Sequence, residues 1–132
     1  MYASTFIFAK RQFDAAFHRL DEEIAARARA IPGYLGEESW ENTAAGLVSN
    51  VYYWDSLEAL RQLVRDPSHL QAKAGQAQWL NGYRVIVAEV VRSYGDGGLD
   101  GLLPALPALP GANRAQPDDA PGDSAGPAGA AA

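Results

Sequence analysis

The spacing of apolar positions changes repeatedly along the first 95 residues, and each change marks an element. Residues 2–9, YASTFIFA, are rich in aromatic and β-branched side chains with two alternating faces, Tyr2/Ser4/Phe6/Phe8 and Ala3/Thr5/Ile7/Ala9, which predicts a strand. From Gln12 to Ile31 the spacing becomes helical: Phe13, Phe17, Leu20, Ile24 and Ala28 stand 4, 3, 4 and 4 residues apart. Asp14, Arg19, Asp21, Glu22, Glu23, Arg27 and Arg29 occupy much of the remaining surface of that helix. Pro32 and Gly33 end it, because proline lacks a donor and glycine tolerates the turn. Residues 34–42 and 45–54 read as two strands joined by a short polar turn, a hairpin, with Tyr34, Glu38 and Trp40 on one face of the first. Helical spacing returns at Leu57, Leu60, Leu63 and Val64, with Asp55 and Glu58 placed as a capping box. It restarts at Asp66, a second N-cap followed by Pro67 in the first helical position. Residues 83–94, YRVIVAEVVRSY, predict the last strand.

The order βαββαβ is the split βαβ, or ferredoxin-like, arrangement: an α+β fold with a four-stranded antiparallel sheet and helices on one face. Its other face would expose apolar side chains of the first and last strands, so a homodimer is expected.

Composition then divides the chain. Beyond Tyr94 there are six of the eight prolines and no aromatic residue, so 1–95 is expected to be the folded domain and 96–132 a disordered Gly/Pro/Ala-rich tail. The tail carries five Asp against one Arg, −4 of the chain's net −5, which leaves the folded part near neutral at −1. No basic stripe is available to neutralise phosphates, so nucleic acid is not an expected partner. With no cysteine, thiolate nucleophiles and zinc–thiolate sites are excluded. No apolar run of signal-peptide type or membrane-spanning length occurs, and a soluble cytoplasmic protein is expected, without a membrane partner. Within the tail, LLPALPALP (102–110) repeats leucine every three residues, at 103, 106 and 109. This suits either a polyproline II edge that clasps a partner or a plain linker.

The stretch SNVYYWDS (49–56) is the candidate for chemistry. Strand alternation places Asn50, Tyr52 and Trp54 on one face, about 7 Å between successive members. Such residues either wall a pocket for an aromatic compound or are core aromatics with Asn50 paired to a neighbouring strand, and the pattern alone leaves both open.

Four segments taken together, IPGYLGEESW, YYWDSLEAL, DPSHLQAKAG and YRVIVAEVVRSYG, resemble the antibiotic biosynthesis monooxygenase family over roughly residues 2–95. That resemblance implies a dimeric α+β barrel with one pocket per protomer between sheet and helices. It also implies, as one chemistry among several in the family, oxidation of a polyphenolic substrate without metal or flavin. Carried across, Asn50 would hydrogen-bond a phenolate or carbonyl oxygen and Trp54 would hold the ring. Tyr52, Phe6, Phe8 and Trp40 are the candidate substrate-binding side chains, and no cofactor is expected.

His69, in the first turn of the helix that Asp66 opens, resembles the family's helix-opening histidine. The helix N-terminus keeps it neutral and able to accept a proton, though a first-turn histidine also serves as a plain cap. His18, among Asp14, Asp21 and Glu22, reads as part of a solvated helix face. Two histidines so far apart do not make a protein metal site. Haem-degrading members of the family resemble this chain less: strand 1 offers Phe6 and Phe8 rather than an asparagine, and the ligand position falls nearer Lys73 than His69. A Glu38–Arg84 or Glu38–Arg92 pair is the expected fate of those charges. The competing expectation for function is a dimeric protein that binds a ligand in the same pocket without turning it over.

Overall fold

The computed structural model describes residues 1–107. Its elements are β1 (Tyr2–Lys10), α1 (Ala15–Ala30), β2 (Tyr34–Asn42), β3 (Leu47–Trp54), α2 (Leu57–Arg65), α3 (Pro67–Trp79) and β4 (Leu80–Glu89). All pairings are antiparallel, in the order β2-β3-β1-β4. This is the expected α+β, ferredoxin-like arrangement, with the second helical region broken in two at Asp66.

Caps decide where the helices begin. Asp14 accepts from the Phe17 N–H at 2.8 Å and starts α1, while Arg11 and Gln12 stay outside the helix and donate to the Trp79 carbonyl at 2.9 and 3.3 Å. For α2 the cap is Ser56, which accepts from the Ala59 N–H at 3.2 Å, not the Asp55–Glu58 box. Asp55 is held otherwise: its N–H donates to the Gly33 carbonyl at 2.8 Å. Its carboxylate fills the space a side chain at Gly33 would need, where φ is +102°. Asp66 caps α3 through the Ser68 N–H at 2.9 Å and also takes Arg27 of α1 at 3.2 Å, and its own N–H donates to the Leu63 carbonyl of α2 at 3.0 Å, so one residue ties three helices.

The last strand begins and ends earlier than residues 83–94. Leu80 already pairs with Lys10, and the ladder stops at Glu89 because its partner strand runs out at Tyr2. One further bond, Val90 N–H to the Met1 carbonyl at 2.9 Å, uses the last available acceptor.

Register divides the side chains between the two faces. Phe6, Asn50, Ser39 and Val85 align across the sheet, as do Ser4, Tyr52, Glu37 and Val87, on the face toward the helices. The opposite face carries Ile7, Val51, Tyr53, Glu38, Trp40 and Ile86. In β2 the register slips by one residue between Tyr34 and Gly36, a bulge at Leu35. Tyr34 therefore lies on the helix side with Glu37, and does not share a face with Glu38 and Trp40 as strict alternation requires. Glu38 accepts from the Tyr53 hydroxyl at 2.6 Å. It cannot reach Arg84, because β2 and β4 are opposite edges of the sheet.

The core lies at one end of the sheet. Ala28, Trp54, Ala59, Leu60 and Leu63 are buried there, with Ile24, Ile31, Tyr34 and Tyr52 packed around them. The helices leave β4 uncovered: Val85, Ile86 and Val87 are 56%, 42% and 48% exposed. Residues beyond 95 add to the open face. Gly97 to Leu103 form two turns, and Pro104 seats against Gly36, where an added side chain would collide with it. Leu103 and Leu106, two of the three leucines at period three, are half-buried. Leu109 and the rest of the tail lie outside the described residues.

Candidate functional site

Between the helix-side face of the sheet and the three helices lies a cavity of about 530 Å³. Rings from five elements wall it: Phe6 and Phe8 on β1, Phe17 on α1, Tyr52 on β3, Trp79 on α3 and Tyr83 on β4. They touch in sequence. Ring centroids are 5.6 Å apart for Phe6–Tyr83, 5.1 Å for Phe6–Phe8 and 5.7 Å for Phe17–Trp79. Phe13 bridges Phe8 and Phe17 at 6.0 and 4.0 Å. Offset and tilted rings at such spacings offer a flat ligand both faces and edges to pack on.

Polar groups gather at the β2–β3 end. Asn50 and Tyr52, two residues apart on β3, share it with Asp21 from α1, and all three also line a smaller polar pocket of about 360 Å³. The Ser39 hydroxyl donates to Asn50 Oδ1, which orients the amide and leaves Nδ2 as a donor. The Tyr52 hydroxyl shares a hydrogen bond with Glu37, itself paired to Arg29. Burial, then the negative charges of Glu37 and Asp21, push the Tyr52 phenol well above its usual range, so it stays protonated and donates its one proton to Glu37, leaving its oxygen as an acceptor.

On the far wall, His69 and Lys73 stand one turn apart on α3. Burial, followed by the Lys73 ammonium, lowers the His69 pKa, while the Val64 carbonyl and Asp66 oppose the shift. Its Nδ1 is buried without a hydrogen-bond partner. Among the described residues no cluster of three or more His, Asp or Glu could hold a metal ion. Toward haem the cavity offers one histidine, His69, and β1 lines it with Phe6 and Phe8.

Several solved structures share this architecture. Rv0793 from Mycobacterium tuberculosis superposes with a TM-score of 0.61 at 20% identity, over 71% of this chain and 98% of that one. A Deinococcus radiodurans protein grouped with the antibiotic biosynthesis monooxygenases gives 0.61 at 20% identity, over 72% and 97%. SnoaB, a cofactor-independent oxygenase from Streptomyces nogalater, gives 0.58 at 14% identity, over 70% and 94%. The fold is that of the antibiotic biosynthesis monooxygenases. No protein-family profile matches the chain, and no curated protein matches it by sequence.

Within this monooxygenase fold the candidate residues separate. Asn50, Tyr52, Phe6, Phe8 and His69 all reach the one cavity. Trp54 does not. Among the described residues it is the one large side chain fully buried, in the core cluster, with its Nε1–H donating to Ser4 Oγ at 3.0 Å. The strand meets the core at that point, because Ala28 and Ala59 leave room for the indole above it. Trp40 is on the opposite sheet face and 56% exposed, since the bulge at Leu35 precedes it.

Several wall residues are not among the candidates that the sequence offers: Tyr83 reads as part of a strand, Phe17 as part of an apolar helix face, Asp21 as helix surface, and Trp79 carries no site signal. For Asp21 a signal existed: it stands four residues after Phe17 and three before Ile24, the spacing of one helix face.

Proposed function

We propose that the protein is a cytoplasmic, homodimeric, cofactor-independent monooxygenase that oxidises a small, electron-rich aromatic or polyphenolic compound with molecular oxygen. The observation that carries this reading is the ring-walled cavity whose polar groups converge at one end, at Asn50 and Tyr52. A substrate oxygen would accept from Asn50 Nδ2, a donor already oriented by Ser39, while the Tyr52 hydroxyl, its one proton given to Glu37, would accept from a substrate O–H. A donor fixed in advance stabilises the oxyanion that forms when the substrate ionises, and the rings exclude water from it. The electron-rich anion then reduces oxygen itself. For a substrate with a CH2 group flanked by phenolic rings, CH2 plus O2 becomes C=O plus H2O. Support for the dimer comes from the open sheet face, where Ile86 of β4 and Trp40 of β2 are exposed.

Oxygen uptake by chelator-treated protein given an easily deprotonated anthrone tests the proposal. Uptake above background that falls at least tenfold in Asn50→Ala is expected. Wild-type uptake equal to background, with the unchanged anthrone quenching tryptophan fluorescence, would instead support the non-catalytic binding protein.

A further inference from the structure

Cofactor-free oxygenation needs a base, and the wall of the cavity contains one carboxylate. We infer that Asp21 accepts the proton from the substrate carbon that is to be oxidised, an inference that rests on the proposed function. Asp21 stands where the ring-walled cavity meets the polar pocket, with Tyr52 and with Asn50, whose Nδ2 would hold the substrate's oxygen. A proton leaving a ring carbon and the charge arriving on the conjugated oxygen are thereby handled by separate groups at one end of the cavity. The nearby Glu37 is engaged with Arg29 and Tyr52. Asp21 has no hydrogen-bond or ion-pair partner among the described residues.

The groups around Asp21 come from three elements: His18 and Glu22 on its own helix, Glu37 on β2 and Tyr52 on β3. Desolvation comes first among their effects, and raises the carboxyl pKa. His18 lowers it, and Glu37 and Glu22 raise it further. Asp21 is an exposed residue that lines both cavities, so a ligand can reach it. The net effect is a stronger base than a fully solvated aspartate. An aspartate of ordinary or modestly raised basicity removes a carbon-bound proton when fixed donors hold the resulting oxyanion.

The step balances. The C–H bond breaks, its electron pair delocalises onto the oxygen held by Asn50, and an O–H bond forms on Asp21. The anion reduces O2 and combines with it to give a peroxide anion, which recovers the proton from Asp21. Loss of the second C–H proton to the carboxylate, with cleavage of the O–O bond, leaves the carbonyl and, once the proton is passed on, water.

Anaerobic exchange of the anthrone CH2 protons in D2O, followed by NMR, tests the base apart from the oxygen chemistry. Wild type should accelerate exchange, and Asp21→Asn should slow it by about 100-fold or more, the range for loss of a general base. Ligand affinity should stay within about threefold, and formate should restore exchange to Asp21→Gly, which a merely structural role would not allow. Asp21→Asn exchanging as fast as wild type, or wild type exchanging no faster than buffer, overturns the inference. Exchange that depends on Asp21 without aerobic oxygen uptake would overturn the oxygenase reading and leave the base standing.

Discussion

Replacing Trp54 by alanine tests whether this tryptophan is core or site. The indole is fully buried among Ala28, Ala59, Leu60 and Leu63. Truncation of such a ring costs about 3–5 kcal/mol in lost transfer energy and residual cavity. Leaving the Ser4 hydroxyl without its 3.0 Å partner adds about 1 kcal/mol. The sum of about 4–6 kcal/mol is most of the roughly 5–10 kcal/mol that a domain of this size possesses. Urea titration should therefore show Trp54→Ala largely unfolded, with its midpoint near zero denaturant. Ser4→Ala isolates the hydrogen bond, and should lose only about 1 kcal/mol, or roughly 4–8 °C in Tm. A Trp54→Ala protein that unfolds cooperatively, with an unchanged m-value and a loss below about 2 kcal/mol, would refute this core placement. Lost activity in Trp54→Ala therefore reports lost structure, and Asn50→Ala is the informative variant.

Three other outcomes follow from the structure. Because the folded His69 pKa lies below its ordinary 6.5, the unfolded chain binds the proton first, so His69's contribution to stability is complete above about pH 6.5 and is lost as pH falls toward the depressed folded value. His69→Gln should flatten that acid-side decline in thermal melts, and Lys73→Gln should raise the imidazole pKa seen by NMR. Ser56→Ala, which removes the α2 cap, should cost about 1 kcal/mol by urea titration, whereas Asp55→Asn should leave the α2 cap intact. Gly36→Ala, at φ +152° and against Pro104, should release residues 96–107 to faster proteolysis, with Pro104→Gly relieving part of the effect.

The strands and helices were legible because their signals are local. The period-4 and period-3 recurrence of Phe17, Leu20, Ile24 and Ala28 suffices for α1, and Asp66-Pro67 marks the break between α2 and α3. Asn50 and Tyr52 could be placed on one face from alternation alone. The errors have physical causes that no single element contains. Where β4 ends depends on where β1 begins, because the ladder needs a partner. Trp54 became core, and not cavity, because of two alanines on two different helices. Whether Asp21 faces solvent or a cavity depends on what packs against α1, so its charge concealed a position that its spacing could have disclosed.

The extra residue at Leu35 acts as a parity switch in β2. By sequence number, every position after it lies on the side opposite to the one that alternation from Tyr34 would give. Deleting that one residue would leave a regular ladder, Tyr34 opposite Trp54 and Gly36 opposite Tyr53, with Glu37 and Ser39 still toward the helices beside Tyr52 and Asn50. An alignment with a relative must therefore put its gap at this residue. Placed two positions away, the same gap would match helix-side residues to outward-facing ones.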